Sequence, residues 1–213
     1  RLSHVTQTGI PITGTPLSQI KYRSPAHVLG DLIHQSFLAR HRSETTSPES
    51  ICETLFSGPS FVDPEIRDAQ RQDVMSALSR YEASPCFQLI QSAEQVLVEH
   101  PFSVRMGPFL LEGRFDMSYF SNGHWHIIDY KTNAEPEKAI QSLAYRQQMI
   151  LYQWALCQQY GTPITKISTA LFLTQSAQLH PISICEQERE QLLERIQQLD
   201  LHLDPREHRP RPD

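Results

Sequence analysis

The dipeptide Asn122-Gly123 constrains the fold of this chain more tightly than any other short stretch of its sequence. It separates two β-forming runs, 113–120 and 124–131, and Asn-Gly is a strong signal for a two-residue hairpin turn. In such a hairpin, residues whose numbers sum to 245 face each other, which places Asp116 opposite Asp129. Two carboxylates with Cβ atoms about 4.5–5.5 Å apart destabilise a sheet unless a cation lies between them. We therefore expect a divalent metal ion at this point.

Lys131 follows Asp129 by two positions, so both side chains emerge on one face of the strand, whereas Tyr130 points to the other face. Carboxylate oxygens held in this way suit Mg²⁺, with Mn²⁺ as a possible substitute. A lysine beside the ion can position the attacking water and balance the charge on a phosphate. An isolated Asp-x-Lys is more often a surface ion pair, but the opposed Asp116 favours phosphodiester hydrolysis.

Helical and strand periodicities follow one another along the chain. Helices are predicted over 25–37, after Asp63-Pro64, after Ser84-Pro85, over 137–160 and over 186–203, and strands over 96–98, 102–106, 109–120, 124–130, 166–174 and 179–184. We expect one α/β domain over 25–204, with a central mixed β-sheet flanked by helices and an added N-terminal helical segment. Residues 1–24 are interpreted as an arm, 43–60 as a mobile loop and 205–213 as a disordered tail. The long helix is expected to bury Leu143.

Composition excludes several classes of protein. No apolar run is long enough to cross a bilayer, and the first twenty residues lack the features of a signal peptide. The formal net charge of -5 implies that nucleic-acid binding is local or shared with another domain. Because the chain begins at Arg1 without a methionine, we expect that it is either a piece of a longer protein or lacks its own start. The four cysteines lack the spacing of a zinc or iron–sulfur site, and we expect reduced, mostly buried thiols of a cytoplasmic protein: Cys52, Cys86, Cys157 and Cys185.

Four motifs stand in a fixed order: Gly30-Asp31-Leu32-Ile33-His34, then Gly113-Arg114-Phe115-Asp116, then Ile127-Ile128-Asp129-Tyr130-Lys131-Thr132, then Tyr145-Arg146-Gln147-Gln148 with Tyr152. Together they resemble the RecB-like branch of the PD-(D/E)xK nucleases, as in the C-terminal nuclease domains of RecB-type and AddA-type helicase–nucleases. The resemblance spans residues 25 to about 175. It implies a restriction-endonuclease-like core.

The resemblance also implies roles for particular residues. His34, Asp116, Asp129 and the backbone carbonyl of Tyr130 would coordinate Mg²⁺, and Lys131 would be the catalytic lysine. Taken alone, His34 is more often a satisfied core histidine than a ligand. Relatives that carry an iron–sulfur cluster have a tight group of cysteines that this sequence lacks, so no cluster is expected.

Further residues are implied to support the site or to contact DNA. Gln148 and Tyr152 match the family's Q-x-x-x-Y motif and lie on one face of a helix, although Tyr152 could be a core aromatic and Gln148 a surface residue. Thr132 ends the Asp-Tyr-Lys motif. Glu99 sits where relatives carry an acidic residue ahead of the core strands, or it is an exposed strand end. Gly113 either lets the backbone approach DNA or relieves a bulge.

The activity implied by the resemblance is cleavage of DNA, most simply of single strands fed by a helicase during recombination and double-strand-break repair. The sequence has no P-loop, so the helicase would be a domain of the parent chain or a partner subunit. Two alternatives stay open. One is a stand-alone RecB-like exonuclease of phage or CRISPR-adaptation type, and the other is an inactive nuclease-like module that binds DNA.

Overall fold

The computed structural model describes residues 4–5, 11–12, 25–42, 47–57, 64–107, 109–132 and 135–202 of the 213-residue chain. Two short strands pair near the N-terminus, β1 (His4–Val5) and β2 (Pro11–Ile12). The helices are α1 (Pro25–Arg42), α2 (Pro48–Phe56), α3 (Pro64–Glu82), α4 (Pro85–Gln91), α5 (Pro136–Gln141), α6 (Leu143–Tyr160) and α7 (Glu186–His202). The main sheet contains β3 (Gln95–Met106), β4 (Phe109–Ser121), β5 (His124–Lys131), β6 (Ile167–Leu173) and β7 (Gln178–Pro181).

The five strands of the main sheet lie in the order β3-β4-β5-β6-β7. β3, β4 and β5 form an antiparallel meander, β6 joins β5 in parallel, and β7 pairs antiparallel with β6 at the edge. A parallel pair needs a crossover connection, and α5 and α6 supply it between β5 and β6. This mixed sheet with flanking helices confirms the predicted fold class.

Each face of the sheet carries its own hydrophobic cluster. On the first face, Ile128 and Phe172 pack with Tyr81 of α3 and with residues of α1 and α4. On the second face, Ile127 and Leu171 pack against α6. Neighbouring residues of β5 and β6 therefore enter opposite clusters, as the two-residue period of a strand requires. Full burial of each such aliphatic side chain stabilises the fold by roughly 1.5–3 kcal/mol.

The hairpin between β4 and β5 turns at Asn122-Gly123, where φ is 53° and 75°. Two positive φ values are what a type I′ turn requires. The β4–β5 ladder has the predicted register and runs as far as Met117 opposite Ile128. The ladder ends one position before Asp116 and Asp129 would pair. These two residues face each other only if the observed register is extended by one residue.

Strands β3 and β4 exchange faces at Glu99 and Asp116. Residues on the two sides of this point enter opposite clusters: Val96, Val98, Met117 and Tyr119 the first, and Phe102, Val104 and Phe115 the second. Residues two apart in a regular strand share a face, so both strands are irregular here. Glu99 accordingly has a φ of 44°. β3 was predicted as two separate runs and is one strand with this irregularity inside it.

The predicted loop over 43–60 is partly helical, so that prediction was wrong for α2. Ser47 caps the helix by accepting a hydrogen bond from the backbone N–H of Ser50, and Pro48 occupies its first turn. A serine followed by proline is a helix start as well as a turn signal. Burial of Ile51 decides between the two. Residues 43–46 and 58–60 lie outside the described part of the chain.

The single helix predicted over 137–160 is divided in two by Ser142. This residue has extended backbone angles (φ -62°, ψ 116°), and its side chain accepts from the N–H of Tyr145 to cap α6. Leu143, which was predicted to be buried, is 61% exposed because it occupies the first turn of the new helix. The continuous apolar pattern of the sequence hides this break.

Cys52 and Cys86 are buried as expected, but Cys157 is half-buried and Cys185 is exposed, so the prediction of mostly buried thiols was wrong for Cys185. No helix in the described residues is long and apolar enough to cross a membrane. Most of the predicted arm and the predicted tail, 205–213, fall outside the described residues.

Candidate active site

Helix α1 brings His34 to Asp116, with 3.3 Å between Nε2 and Oδ2. One turn earlier, a Cβ on Gly30 would stand 2.7 Å from Oγ1 of Thr132, directly after β5. Glycine therefore permits the close approach of α1 to the end of this strand. Because residues four apart share a helix face, Gly30 also determines where His34 meets the sheet. The backbone N–H of Tyr130 donates to the same Asp116 oxygen at 3.1 Å.

Asp129 is the centre of a network on the second face of the sheet. Its Oδ2 lies 2.6 Å from Nζ of Lys131. Lys131 also donates to Oε1 of Gln148 at 3.3 Å. The amide nitrogen of Gln148 donates to Oδ1 of Asp129 at 3.1 Å and to the Tyr152 hydroxyl at 2.8 Å. The predicted Q-x-x-x-Y residues are therefore in direct contact with the predicted Asp-x-Lys residues.

The electrostatics of the centre are dominated by the burial of Asp129, whose side chain is 2% exposed. Burial and, to a smaller extent, the charge of Asp116 raise the pKa of this carboxyl to about 6, while Lys131 and His34 oppose the rise. Burial also raises the pKa of Tyr152, so its hydroxyl stays protonated at neutral pH. A buried carboxylate close to a second carboxylate favours the presence of a cation.

Two buried atoms of this centre, Nε2 of His34 and Oδ2 of Asp129, make no hydrogen bond of good geometry within the part of the chain that is described, although each lies within ion-pair distance of one neighbour, Asp116 and Lys131 respectively. Imidazole nitrogen and carboxylate oxygen are common ligands of divalent metals. No three His, Cys, Asp or Glu side chains of the described residues form a ready-made metal cluster, and the Lys131 ammonium is the cation beside Asp129. The donors fit a divalent ion in type, and their role as ligands stays a prediction.

Tyr130 joins the site to the helices of the first face. Its hydroxyl lies 2.7 Å from that of Tyr81 in α3, which lies 2.7 Å from Nε2 of His41 in α1. Burial raises the pKa of both tyrosines well above the usual value. Burial and the adjacent Arg40 lower the pKa of His41 to about 4. The role of the Tyr130 carbonyl as a metal ligand stays a prediction.

Among the described residues, no interaction joins Glu99 to the Asp129 network. Its carboxylate contacts Arg42 at the end of α1 and lies 3.8 Å from Nη1 of Arg114 in β4. No local pattern indicated the contact with Arg42, because 57 residues separate it from Glu99.

Tyr145 is a residue of the site that the motif included without a role. Nζ of Lys131 lies 4.6 Å from the centre of its ring, within the range of a cation–π interaction. Tyr145 precedes Gln148 by three residues, and that helical spacing was the signal that could have found it.

Gly113 has a packing role that neither of the two roles weighed from the sequence included. A Cβ here would stand 2.5 Å from Cζ of Phe102, so glycine makes room for this ring. The Phe102 ring packs against Phe115 at 4.7 Å and against Tyr152 at 5.8 Å between centroids. The glycine therefore supports the aromatic layer below Tyr152.

Comparisons with known proteins assign the chain to a family. A family model for the PD-(D/E)XK nuclease superfamily matches residues 11–213. No curated protein sequence matches the chain. A structure from Eubacterium rectale, described as that of a candidate exonuclease, is similar with a TM-score of 0.59 at 14% identity, over 85% of this chain and 67% of the other. This similarity supports the fold alone.

Two further structures are less similar. SSO0001 has a TM-score of 0.37 at 15% identity, over 83% of this chain and 76% of the other. VC1899 from Vibrio cholerae has a TM-score of 0.32 at 13% identity, over 83% of this chain and 52% of the other. Both scores are too low to support a conclusion about fold. The family model, by contrast, spans nearly the whole chain and every residue of the Asp129 network, and the chain therefore belongs to the PD-(D/E)XK nuclease superfamily.

Proposed function

We propose that the chain hydrolyses phosphodiester bonds of DNA with Mg²⁺, or Mn²⁺ in its place, held by His34, Asp116, Asp129 and the backbone carbonyl of Tyr130. The observation that carries this proposal is the state of Asp129. Its carboxylate is 2% exposed and has a raised pKa, and its Oδ2 atom lies 2.6 Å from the Lys131 ammonium. A buried carboxylate that is close to a second carboxylate is stabilised further when a divalent ion binds.

A bound metal ion would supply Lewis-acid activation of water and of the phosphate. The protein's own groups would orient the reactants. Lys131, held by Asp129 and Gln148 and lying over the Tyr145 ring, would orient the attacking water and offset the negative charge that develops on the phosphate. The hydrogen bond from Gln148 to the Tyr152 hydroxyl fixes the side-chain amide of Gln148, which in turn holds Lys131. The lysine therefore has less conformational freedom before substrate binds.

The substrate and partners are proposed from the motifs and from the family. The proposal is a RecB-like nuclease that acts on single-stranded DNA during recombination and repair, with a helicase domain in the parent chain or a helicase subunit as partner. Similarity to a structure described as that of a candidate exonuclease agrees with cleavage from an end. A cytoplasmic location, where thiols stay reduced, belongs to the same proposal.

The test is cleavage of end-labelled single- and double-stranded DNA with Mg²⁺, Mn²⁺ or EDTA, beside the Asp129→Ala and Lys131→Ala proteins. We expect metal-dependent cleavage of single strands that both substitutions reduce by at least about 100-fold. Shortening from the labelled end only would support an exonuclease. Binding without cleavage by the unmodified protein, with either metal, would instead support an inactive DNA-binding module.

A helicase partner needs a separate measurement. If cleavage of duplex DNA requires an added helicase while single strands are cut without it, the helicase–nuclease context is supported. Cleavage of duplex ends by the protein alone would favour the stand-alone exonuclease.

A further inference from the structure

A second charged group lies on the elements that carry His34 and Asp116, namely α1 and β4. Glu99 contacts Arg42 and Arg114, and both contacts involve its Oε2 atom. The arginine side chains are 57% and 60% exposed, whereas that of Glu99 is 26% exposed. Each guanidinium carries five N–H donors in a planar fork, so both arginines keep donors for a ligand that arrives from solution.

The backbone at Glu99 is unusual. Its φ of 44° lies in the left-handed region, which residues other than glycine rarely adopt and which occurs disproportionately at functional sites. The same position is the point at which β3 and β4 exchange faces. The conformation holds Glu99 at the two arginines, outside the regular pairing of β3 with β4.

The arginines are close to the predicted metal ligands along the chain. Arg114 precedes Asp116 by two residues in β4, which corresponds to about 7 Å. Arg42 follows His34 by eight residues in α1, about 12 Å along the helix axis. Successive phosphates of one strand advance by at least about 3.4 Å, which is the axial rise in stacked B-DNA. The two arginines are therefore within a few phosphates of the predicted site of cleavage.

The local charge has the sign that a nucleic acid requires. Two arginines and one glutamate give a local excess of one positive charge, in a chain with a formal net charge of -5. A protein with this overall charge has no general attraction for DNA, so contact with the backbone depends on such local groups. The guanidinium fork matches the geometry of a phosphate in a way that a lysine does not.

We propose that Arg42 and Arg114, oriented by Glu99, bind a backbone phosphate of the DNA strand a few nucleotides from the scissile bond. The inference rests on the proposed nuclease function and adds a substrate contact to it. Glu99 orders the two side chains before DNA arrives, which reduces the entropy lost on binding. The contact is to the backbone, so it adds affinity without sequence preference.

The test is binding of a fluorescently labelled single-stranded oligonucleotide to the full chain in EDTA, at a series of NaCl concentrations. Arg42→Gln and Arg114→Gln are each expected to weaken binding several-fold and to lower the slope of log K against log salt by about 0.7. Arg105→Gln is the matched control, because Arg105 is exposed in β3 about 20 Å beyond Glu99 and the charge change is the same. It is expected to bind with the slope of the unmodified protein.

Two more variants separate charge from orientation. Arg114→Lys is expected to keep the salt slope, because it keeps the charge. Glu99→Gln is expected to weaken binding without lowering the slope, because both arginines remain but are no longer held. Thermal unfolding of each variant checks that the fold is retained.

If Arg42→Gln and Arg114→Gln both bind with the affinity and slope of Arg105→Gln, the phosphate contact is wrong, whether or not the unmodified protein cleaves DNA. If the two variants show a smaller slope of log K against log salt but the unmodified protein cleaves nothing with Mg²⁺ or Mn²⁺, the phosphate contact is supported and the proposed nuclease activity is not.

Discussion

At position 129 the chain carries a carboxylate that its own fold makes difficult to ionise. Burial and the neighbouring Asp116 raise the pKa of Asp129 to about 6, against a usual value of 3.8. Because the pKa is higher in the folded state, ionisation of Asp129 does not lower the free energy of unfolding below pH 3.8. The free energy of unfolding then decreases as the pH rises from 3.8 to 6. Buried ionisable residues at functional sites often lower the stability of the fold.

Asp129→Asn should therefore stabilise the metal-free protein at pH 7, by about 1–3 kcal/mol, because asparagine does not ionise. Urea unfolding in EDTA at pH 4.5 and at pH 7 measures the difference, which should be smaller at the lower pH. Added Mg²⁺ should stabilise the unmodified protein and not the variant. Asp73→Asn, on an exposed position of α3, is the control and should leave stability nearly unchanged at both pH values. Equal stability of Asp129→Asn and the unmodified protein at pH 7 would contradict this account.

Gly30 presents a different constraint, because it limits distance and carries no charge. In Gly30→Ala, the new Cβ would meet Thr132 Oγ1 at 2.7 Å, so α1 or Thr132 must move. We expect cleavage activity to fall by roughly 10-fold or more as His34 shifts from Asp116, since small misplacements are costly in catalysis. Stability should change by less than about 1 kcal/mol, because alanine is also the better helix former. Adding Thr132→Ala to the Gly30→Ala protein removes the clash and should restore part of the activity. If the double variant recovers no activity, the close approach of Gly30 to Thr132 is not the cause of the loss.

At the scale of the element, α6 serves two separate contacts. Tyr145, Gln148 and Tyr152 face the Asp129 network. Arg146 instead pairs with Glu188 of α7 through two bonds of 2.6 and 2.8 Å and donates to the Ser183 carbonyl at 2.7 Å. The motif included Arg146 among the residues of the site, and the structure assigns it to the docking of α7.

Arg146→Lys should destabilise the protein by about 1–2 kcal/mol at pH 7, because lysine cannot bond both Glu188 oxygens and the carbonyl. The hydrogen bond from Arg146 lowers the pKa of Glu188 to about 2. The pair therefore stabilises above pH 4.5, and its contribution is lost as the pH falls from 4.5 towards 2. Urea unfolding should show a gap between variant and unmodified protein that narrows over this range. Arg105→Lys is the control, because Arg105 has no such pair among the described residues, and a difference independent of pH would refute the assignment.

The break at Ser142 illustrates what an element-level prediction can miss. The sequence supports both one long helix and two helices, because Ser142 is compatible with either and the apolar pattern continues through it. Ala139 of α5 and Met149 of α6 enter the same cluster on the two sides of the break. The local apolar pattern does not show where the helix is interrupted.

At the scale of the whole molecule, the hydrogen bonds from His41 through Tyr81 to Tyr130 join the helical segment to the strand that carries the site. His41 is neutral in this chain because burial and Arg40 lower its pKa to about 4. Since the unfolded value is near 6.5, stability is full above pH 6.5 and is lost as the pH falls towards 4.

His41→Gln should remove this acid sensitivity. Relative to the variant, the unmodified protein should lose about 3 kcal/mol of stability between pH 7 and pH 4, which follows from a pKa difference of about 2.5. Thermal or urea unfolding across that range measures it. His124→Gln, at an exposed position in the hairpin, should parallel the unmodified protein. A parallel curve for His41→Gln would mean that folding does not lower the pKa of His41.

The sequence by itself determined the features that depend on near neighbours. The Asn122-Gly123 turn specified the register between β4 and β5, because a two-residue loop leaves one pairing. The two-residue period of a strand placed Asp129 and Lys131 on one face and Tyr130 on the other. Helical spacing placed Gln148 beside Tyr152.

Only the tertiary structure decided the contacts between segments that are distant in sequence. The approach of Gly30 to Thr132, the contact of Glu99 with Arg42, and the exchange of faces at Glu99 each depend on how whole elements pack. Packing energies of many residues fix those distances together, and no short pattern contains them. The sequence thus predicted which near neighbours along a strand or a helix lie together, and the fold decided which distant segments come into contact with them.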